Sequence, residues 1–274
     1  MMELLPLFPT WFGIVFSFFT GLAFGSFANV VIYRLPLKKS VINPPSFCPV
    51  CLKRLAAIDL IPVLSWVFLL GKCRSCKCKI SVRYPATELV CGLLFASMMH
   101  FTPTLSAIPL SILAFVLLIV SGIDWDTQEI PDGLLIIAAI IGVIWVVLGH
   151  FFPVLFPYSP AWQNALLGVL AGAAPLFIID KITLLVLKKD GFGYGDMKLM
   201  AVVGVFLGWQ LTLGAFFFAV LGSFPFALYF IIKRRQQTSD CEENGYMAFG
   251  PFLCAGVLGA FWFGEWFFNL LFVF

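Results

Sequence analysis

Long apolar stretches, each closed by a few polar residues, follow one another along most of this chain. A membrane-crossing helix needs about 20 apolar residues, and the pattern predicts spans at 10–33, 86–102, 105–123, 133–150, 162–187, 197–209, 211–232 and 248–272. The sixth, Met197–Trp209, is short and interrupted by glycine. One segment breaks the pattern: from Arg34 to Arg83, prolines, charges and cysteines exclude any long helical period. The expected division is therefore a first helix within 1–33, a small extramembrane domain at 34–85, and a helical bundle over 86–274. The fold class expected is an all-α polytopic membrane protein of about eight transmembrane helices, with no nucleic-acid partner.

Composition agrees. Hydrophobic residues make up 61% of the chain and charged ones 11%, which excludes an ordinary soluble domain. Aromatics at 17%, mostly phenylalanine, suit lipid-facing helices with interfacial anchors. The net charge of +3 says little, but its distribution is informative. Ten of the seventeen Lys and Arg residues lie between Arg34 and Arg83, and the others are Lys181, Lys188, Lys189, Lys198, Lys233, Arg234 and Arg235. With eight spans all of them fall on one face of the membrane; with seven, Lys233–Arg235 would fall opposite the rest. The excess of basic residues marks that face as cytoplasmic and supports the weak sixth span. The opening Met1-Met2-Glu3 carries no basic residue, and the run Trp11–Ile32 is too long for a cleaved signal, so it reads as a retained anchor.

The small domain holds Cys48-Pro-Val-Cys51 and Cys73-Arg-Ser-Cys76, 21 residues apart. Two such pairs at ribbon-like spacing predict a structural zinc site; a redox dithiol and unbound thiols are the competing readings. Four thiolates leave no open position for water, so the metal would not be catalytic. A domain this short usually needs such a staple. Cys78 stands just beyond the second pair, reads as a spare or an exchange ligand, and is left out of the ligand set. Cys91, Cys241 and Cys254 read as small inert residues, and His100 and His150 as interfacial side chains.

The candidate chemistry lies in acids at the ends of apolar runs. Gly193-Tyr194-Gly195-Asp196 precedes the sixth span, and Asp124-Trp125-Asp126, Glu129 and Ile130-Pro131-Asp132 follow the third. A carboxylate at membrane depth is costly and is paired or used. Gly193 and Gly195 allow a close backbone approach around Asp196. Capping of a helix start is the plainer account of Asp196, and of Asp132 as well. Asp124, just beyond Ile123, is the acid of its group nearest the bundle. Two carboxyls held close share a proton, so that one activates water while the other polarises a carbonyl. Glu88 and Asp180 read as partners of Arg83, Lys181 or backbone; Glu265 has no assigned role. A proton relay through Asp124 and Asp196 in a transporter, and an assembly factor whose basic loop docks on anionic lipid, are the rival classes.

These residues form part of a longer ordered series: Gly25-Ser26-Phe27-x-Asn29-Val30, Arg34-Leu35-Pro36, Cys48-Pro49-x-Cys51, Gly71-Lys72-Cys73-Arg74-x-Cys76, Ile80-Ser81-x-Arg83-Tyr84-Pro85-x-x-Glu88, Ile123-Asp124, Ile130-Pro131-Asp132, Gly193-x-Gly195-Asp196-x-Lys198-Leu199 and Phe249-Gly250-Pro251. The series resembles the type IV prepilin peptidases, bacterial inner-membrane aspartyl proteases of the GxGD type. Met247-Ala248 departs from it just before Phe249. The resemblance implies Asp124 and Asp196 as catalytic residues and Cys48, Cys51, Cys73 and Cys76 as zinc ligands. It further implies cleavage of a short basic leader from prepilins or pseudopilins after a glycine, on the cytoplasmic side, in support of pilus assembly or type II secretion. It also implies N-methylation of the new terminus with S-adenosylmethionine as donor. No glycine-rich nucleotide fingerprint is present; Gly71 and Lys72 are the positions considered for the donor, with a plain turn as the equal alternative.

Overall fold

The computed structural model describes residues 10–188, 193–236 and 248–272. Eight α-helices account for most of them: α1 (Thr10–Arg34), α2 (Leu64–Phe68), α3 (Arg83–Phe101), α4 (Ala107–Thr127), α5 (Asp132–Phe151), α6 (Trp162–Leu187), α7 (Tyr194–Gln236) and α8 (Gly250–Phe272). Among the described residues, five helical stretches have the length and apolarity to cross a membrane: Thr10–Arg34, Ala107–Thr127, Asp132–Phe151, Trp162–Val186 and Tyr194–Tyr229. The chain is thus a multi-pass, all-helical membrane protein. Lys189, Cys241, Met247 and most of the polar stretch expected after the seventh span lie outside the described residues, as does the side chain of Glu265.

The expected sixth and seventh spans are joined in one 43-residue helix, α7, which breaks at Gly208 (φ 72°, ψ 175°). A straight helix of that length would run about 65 Å, roughly twice the hydrocarbon thickness of a bilayer. The positive φ at Gly208, open to glycine and strained for other residues, divides it next to the boundary that the hydropathy pattern drew. Proline also occurs inside α6 (Pro175) and α7 (Pro225), where neighbouring helices in a membrane can re-satisfy the freed carbonyl.

The chain divides into two units, residues 1–119 and 120–274. In the first, α1 packs along α3. A Cβ on Gly25 would lie 2.6 Å from Glu88 Cα, so the helices meet backbone to backbone, as small residues permit in membranes. Asn29 Nδ2 donates to Tyr84 O of α3 at 3.1 Å. The Gly25-to-Asn29 run is therefore a helix-packing element. In the second unit α7 packs on α5, α6 and α8. Gly168 of α6 faces Gly204 of α7, with no space for a Cβ on either, and Gly256 of α8 abuts Ala215 and Ala219. Trp145 of α5 meets Phe206 of α7 edge to face. The contacts of Gly168, Gly204 and Gly256 hold α7, which carries Asp196, against α6 and α8.

Candidate active site and metal centre

Asp124 lies inside the last turn of α4, not beyond it: the helix continues through Thr127 and closes where Gln128 N–H donates to Asp124 O. Its side chain is only 6% exposed. The backbone N–H of Gly250 donates to Asp124 Oδ2 at 2.9 Å. Gly250 is the first residue of α8, so its amide is one that no helical carbonyl can accept, and the carboxylate sits at the positive end of a helix. A Cβ at Gly250 would lie 2.7 Å from Asp124 Oδ2; only glycine fits without displacement.

Asp196 is the third residue of α7. The Gly193 backbone hydrogen-bonds its carboxylate, which is the capping geometry anticipated for it. Capping leaves Oδ1 unexplained: that atom is buried and has no hydrogen-bond partner among the described residues. Gly195 gives the second half of the frame, because a Cβ there would stand 2.9 Å from Ile130 Cβ. The connection after α4 thereby packs directly on the start of α7. Lys198 Nζ donates to Asp132 Oδ1 at 2.8 Å across the same junction, so Asp132 serves as a partner to Lys198. It begins α5 as its first residue, with Pro131 in the cap position. The carboxyls of Asp124 and Asp196 lie within each other's electrostatic field, and the buried thiol of Cys254 senses both. Asp126 and Glu129 are exposed.

The cysteines of the first unit form two equivalent turns. Cys48 N–H donates to Lys53 O and Leu52 N–H to Cys48 O; in the second turn Cys73 N–H donates to Cys78 O and Lys77 N–H to Cys73 O. Leu52 (φ 58°) and Lys77 (φ 60°) both take the left-handed conformation. Each turn aims amides at its first sulfur. The N–H groups of Cys51 and Val50 pull the Cys48 thiol down to about 6, and those of Cys76 and Ser75 lower Cys73. The Sγ atoms of Cys48, Cys73, Cys76 and Cys78 all lie within 4.8 Å of one another, and the Cys51 thiol lies near enough to those of Cys48 and Cys76 to interact with both. Cys48 Sγ is 3.8 Å from Cys76 Sγ and 3.6 Å from Cys78 Sγ. Four sulfurs at the usual zinc–thiolate distance of 2.3 Å stand about 3.8 Å apart in a tetrahedron, so the donor set fits a tetrahedral metal ion. Cys78, set aside on spacing alone, belongs to this group; the Cys76-x-Cys78 step was the signal in the sequence.

Gly71 adopts φ +68°, its missing Cβ would meet the Trp66 ring at 2.8 Å, and its carbonyl accepts from Ile80 N–H. Those contacts give it work as a turn. Lys72 pairs its backbone with Lys79 in a β-bridge. Neither contact specifies a nucleoside. Glu88 is buried and takes backbone as its partner, accepting Val63 N–H at 2.7 Å through Oε2. Asp180 lies 3.5 Å from Lys181 Nζ. His100 and His150 are exposed near helix ends, edge-on to Phe101 and Phe151. Gly250 and Ile130 carried no chemical signal in the sequence, because each acts through its backbone or its bulk.

Comparison with known proteins gives two family matches: residues 19–102 to the bacterial peptidase A24 N-terminal domain, and residues 111–232 to the type IV leader peptidase family. Three relatives, each called a prepilin leader peptidase/N-methyltransferase, illustrate the similarity. That of Klebsiella pneumoniae is 41% identical over 71% of this chain and 85% of its own length. That of Bacillus subtilis (strain 168) is 35% identical over 90% of this chain and 93% of its own. That of Aeromonas salmonicida (strain A449) is 32% identical over 92% and 91% respectively. No solved structure matches.

Proposed function

Because the chain belongs to the type IV leader peptidase family, we propose that it is a membrane aspartyl peptidase that removes the short basic leader of type IV prepilins or pseudopilins after a glycine. Asp124 and Asp196 are its catalytic pair, with Gly193 and Gly195 as the active-site loop. The observation that carries this reading is the junction of α4, α7 and α8, where Asp124 accepts the Gly250 amide and the buried Oδ1 of Asp196 has no described partner. A buried carboxyl oxygen without a partner is costly; ionised, it accepts from water, and protonated, it donates to a peptide carbonyl.

The chemistry follows from two carboxyls sharing one proton. The ionised member takes a proton from water as its oxygen attacks the scissile carbonyl carbon, and the protonated member gives its proton to the carbonyl oxygen. Collapse of the resulting diol breaks the C–N bond and delivers a proton to the departing amine. One water is consumed, and no metal takes part.

The relatives' names support a second activity, N-methylation of the freed terminus; S-adenosylmethionine, bound as co-substrate, supplies the electrophilic methyl group. Zinc on the cysteine cluster is structural, with Cys48, Cys51, Cys73 and Cys76 as the ligand set expected from spacing. The basic-residue distribution supports eight crossings, termini outside, and both the cysteine domain and the aspartates facing the cytoplasm across a bacterial inner membrane. Products of this kind feed pilus assembly or type II secretion.

The test is to incubate the purified protein in detergent with a prepilin and isotopically labelled S-adenosylmethionine, then weigh the products. A leaderless pilin carrying one labelled methyl group is expected. An uncut prepilin, together with proton flux through liposomes that depends on both aspartates, would replace the peptidase with a transporter.

A further inference from the structure

The metal centre holds one sulfur too many. The two cysteine turns match residue for residue, and the position five after the first cysteine is Lys53 in one and Cys78 in the other. That position closes its turn by accepting the first cysteine's N–H, so its side chain is held next to the cluster. In the first turn it offers no sulfur; in the second it brings Cys78 Sγ to 3.6 Å from Cys48 Sγ, within the spread of a tetrahedral edge. Cys51, the ligand expected from spacing, sits in the turn that Leu52 N–H and Lys53 O close on Cys48, and its thiol interacts with those of Cys48 and Cys76, yet the set of four mutually close sulfurs contains Cys78 in its place. Cys48 and Cys73 are buried, Cys51 and Cys78 are partly open to solvent, and Cys76 is exposed, so its place among the constant ligands rests on its sulfur contacts and not on burial.

Resting on the structural-zinc reading, we propose that Cys51 and Cys78 alternate as the fourth ligand of one ion whose constant ligands are Cys48, Cys73 and Cys76. A tetrahedral ion accepts four thiolates, so at any moment one of the two is free. The site exists as two coordination isomers that interconvert by thiolate exchange at the metal, with no change in the number of metal–sulfur bonds. Loss of either outer thiol, by substitution or alkylation, leaves a complete four-sulfur site.

Full-length protein in detergent, loaded with one equivalent of zinc, is pulsed briefly with iodoacetamide and its cysteine peptides are weighed. Within residues 34–83 one label per molecule is expected, divided between Cys51 and Cys78. Label confined to one of them shows a fixed ligand set and overturns the proposal, as do two labels on one molecule. In parallel, Cys51→Ser, Cys78→Ser and the double variant are loaded with Co2+, and sulfur ligands are counted by X-ray absorption and the thiolate-to-cobalt charge-transfer band. Each single variant is expected to keep four sulfurs and the double variant three. A single variant that falls to three overturns the exchange. A parent protein that takes up neither metal fails at the zinc reading itself, a result distinguishable from loss in one variant only.

Discussion

Gly250 N–H points at Asp124 Oδ2 at 2.9 Å, across 126 residues of sequence. Pro251 follows and has no N–H to offer, so in the first two positions of α8 only Gly250 can serve the carboxylate. Hydrogen bonds to charged groups contribute about 1.5–3 kcal/mol, enough to hold this carboxyl oxygen in register. The same contact explains why glycine stands there, since a Cβ would displace the oxygen it binds.

Asp124→Asn and Asp196→Asn are each expected to lower single-turnover prepilin cleavage by at least 10²–10⁴-fold, the usual scale for a general acid or base. Elution on size exclusion should match the parent. Asp126→Asn, altering an exposed acid two residues on, should keep cleavage within a few-fold. Activity in Asp124→Asn with loss in Asp126→Asn would transfer the role to the second acid.

Gly250→Ala should depress kcat by about 10²-fold while leaving KM near the parent value, because misplacement of a reacting group by about 1 Å acts on the chemical step. Thermal unfolding in detergent checks that the bundle persists. An unchanged kcat would remove Gly250 from the positioning of Asp124.

Stripping the metal with a chelator should open residues 34–83 to limited proteolysis, since a core this small relies on its staple. Peptide mapping by mass spectrometry locates the cuts. Protection that survives complete removal of metal would mean that packing alone holds the domain.

Glu88→Ala leaves Val63 N–H without its 2.7 Å acceptor. An unmet buried donor costs about 1–3 kcal/mol, so amide exchange at Val63 and through Leu64–Phe68 should accelerate by about 5- to 100-fold. Glu88→Gln keeps an acceptor oxygen and should stay close to the parent. Equal exchange in the alanine variant would show that Val63 finds another partner.

We propose that the exposed acids after α4, Asp126 and Glu129, attract the substrate's basic leader. Lys198 already answers Asp132, both side chains being more than half exposed, a pairing worth under about 1 kcal/mol. Glu129→Gln should lower kcat/KM at low ionic strength and match the parent once salt shortens the screening length to a few ångströms. Identical salt profiles would return Glu129 to a solvated rim.

The apolar pattern by itself determined the helices of the bundle, because a chain in lipid must satisfy its own backbone and a run of about 20 apolar residues has few other solutions. It located the break near Gly208, and the spacing of Cys48, Cys51, Cys73 and Cys76 pointed to a cysteine group able to hold a metal ion, of which the close set keeps Cys48, Cys73 and Cys76. Hydropathy stopped short at Ile123, since Asp124-Trp125-Asp126 reads as a polar rim; α4 continues because Asp124 is buried against the start of α8. Only the tertiary structure decided that Gly250 holds Asp124 and that Ile130 presses on Gly195. Each of these depends on which surface lies opposite, and composition and spacing describe a residue's own segment, never the one packed against it.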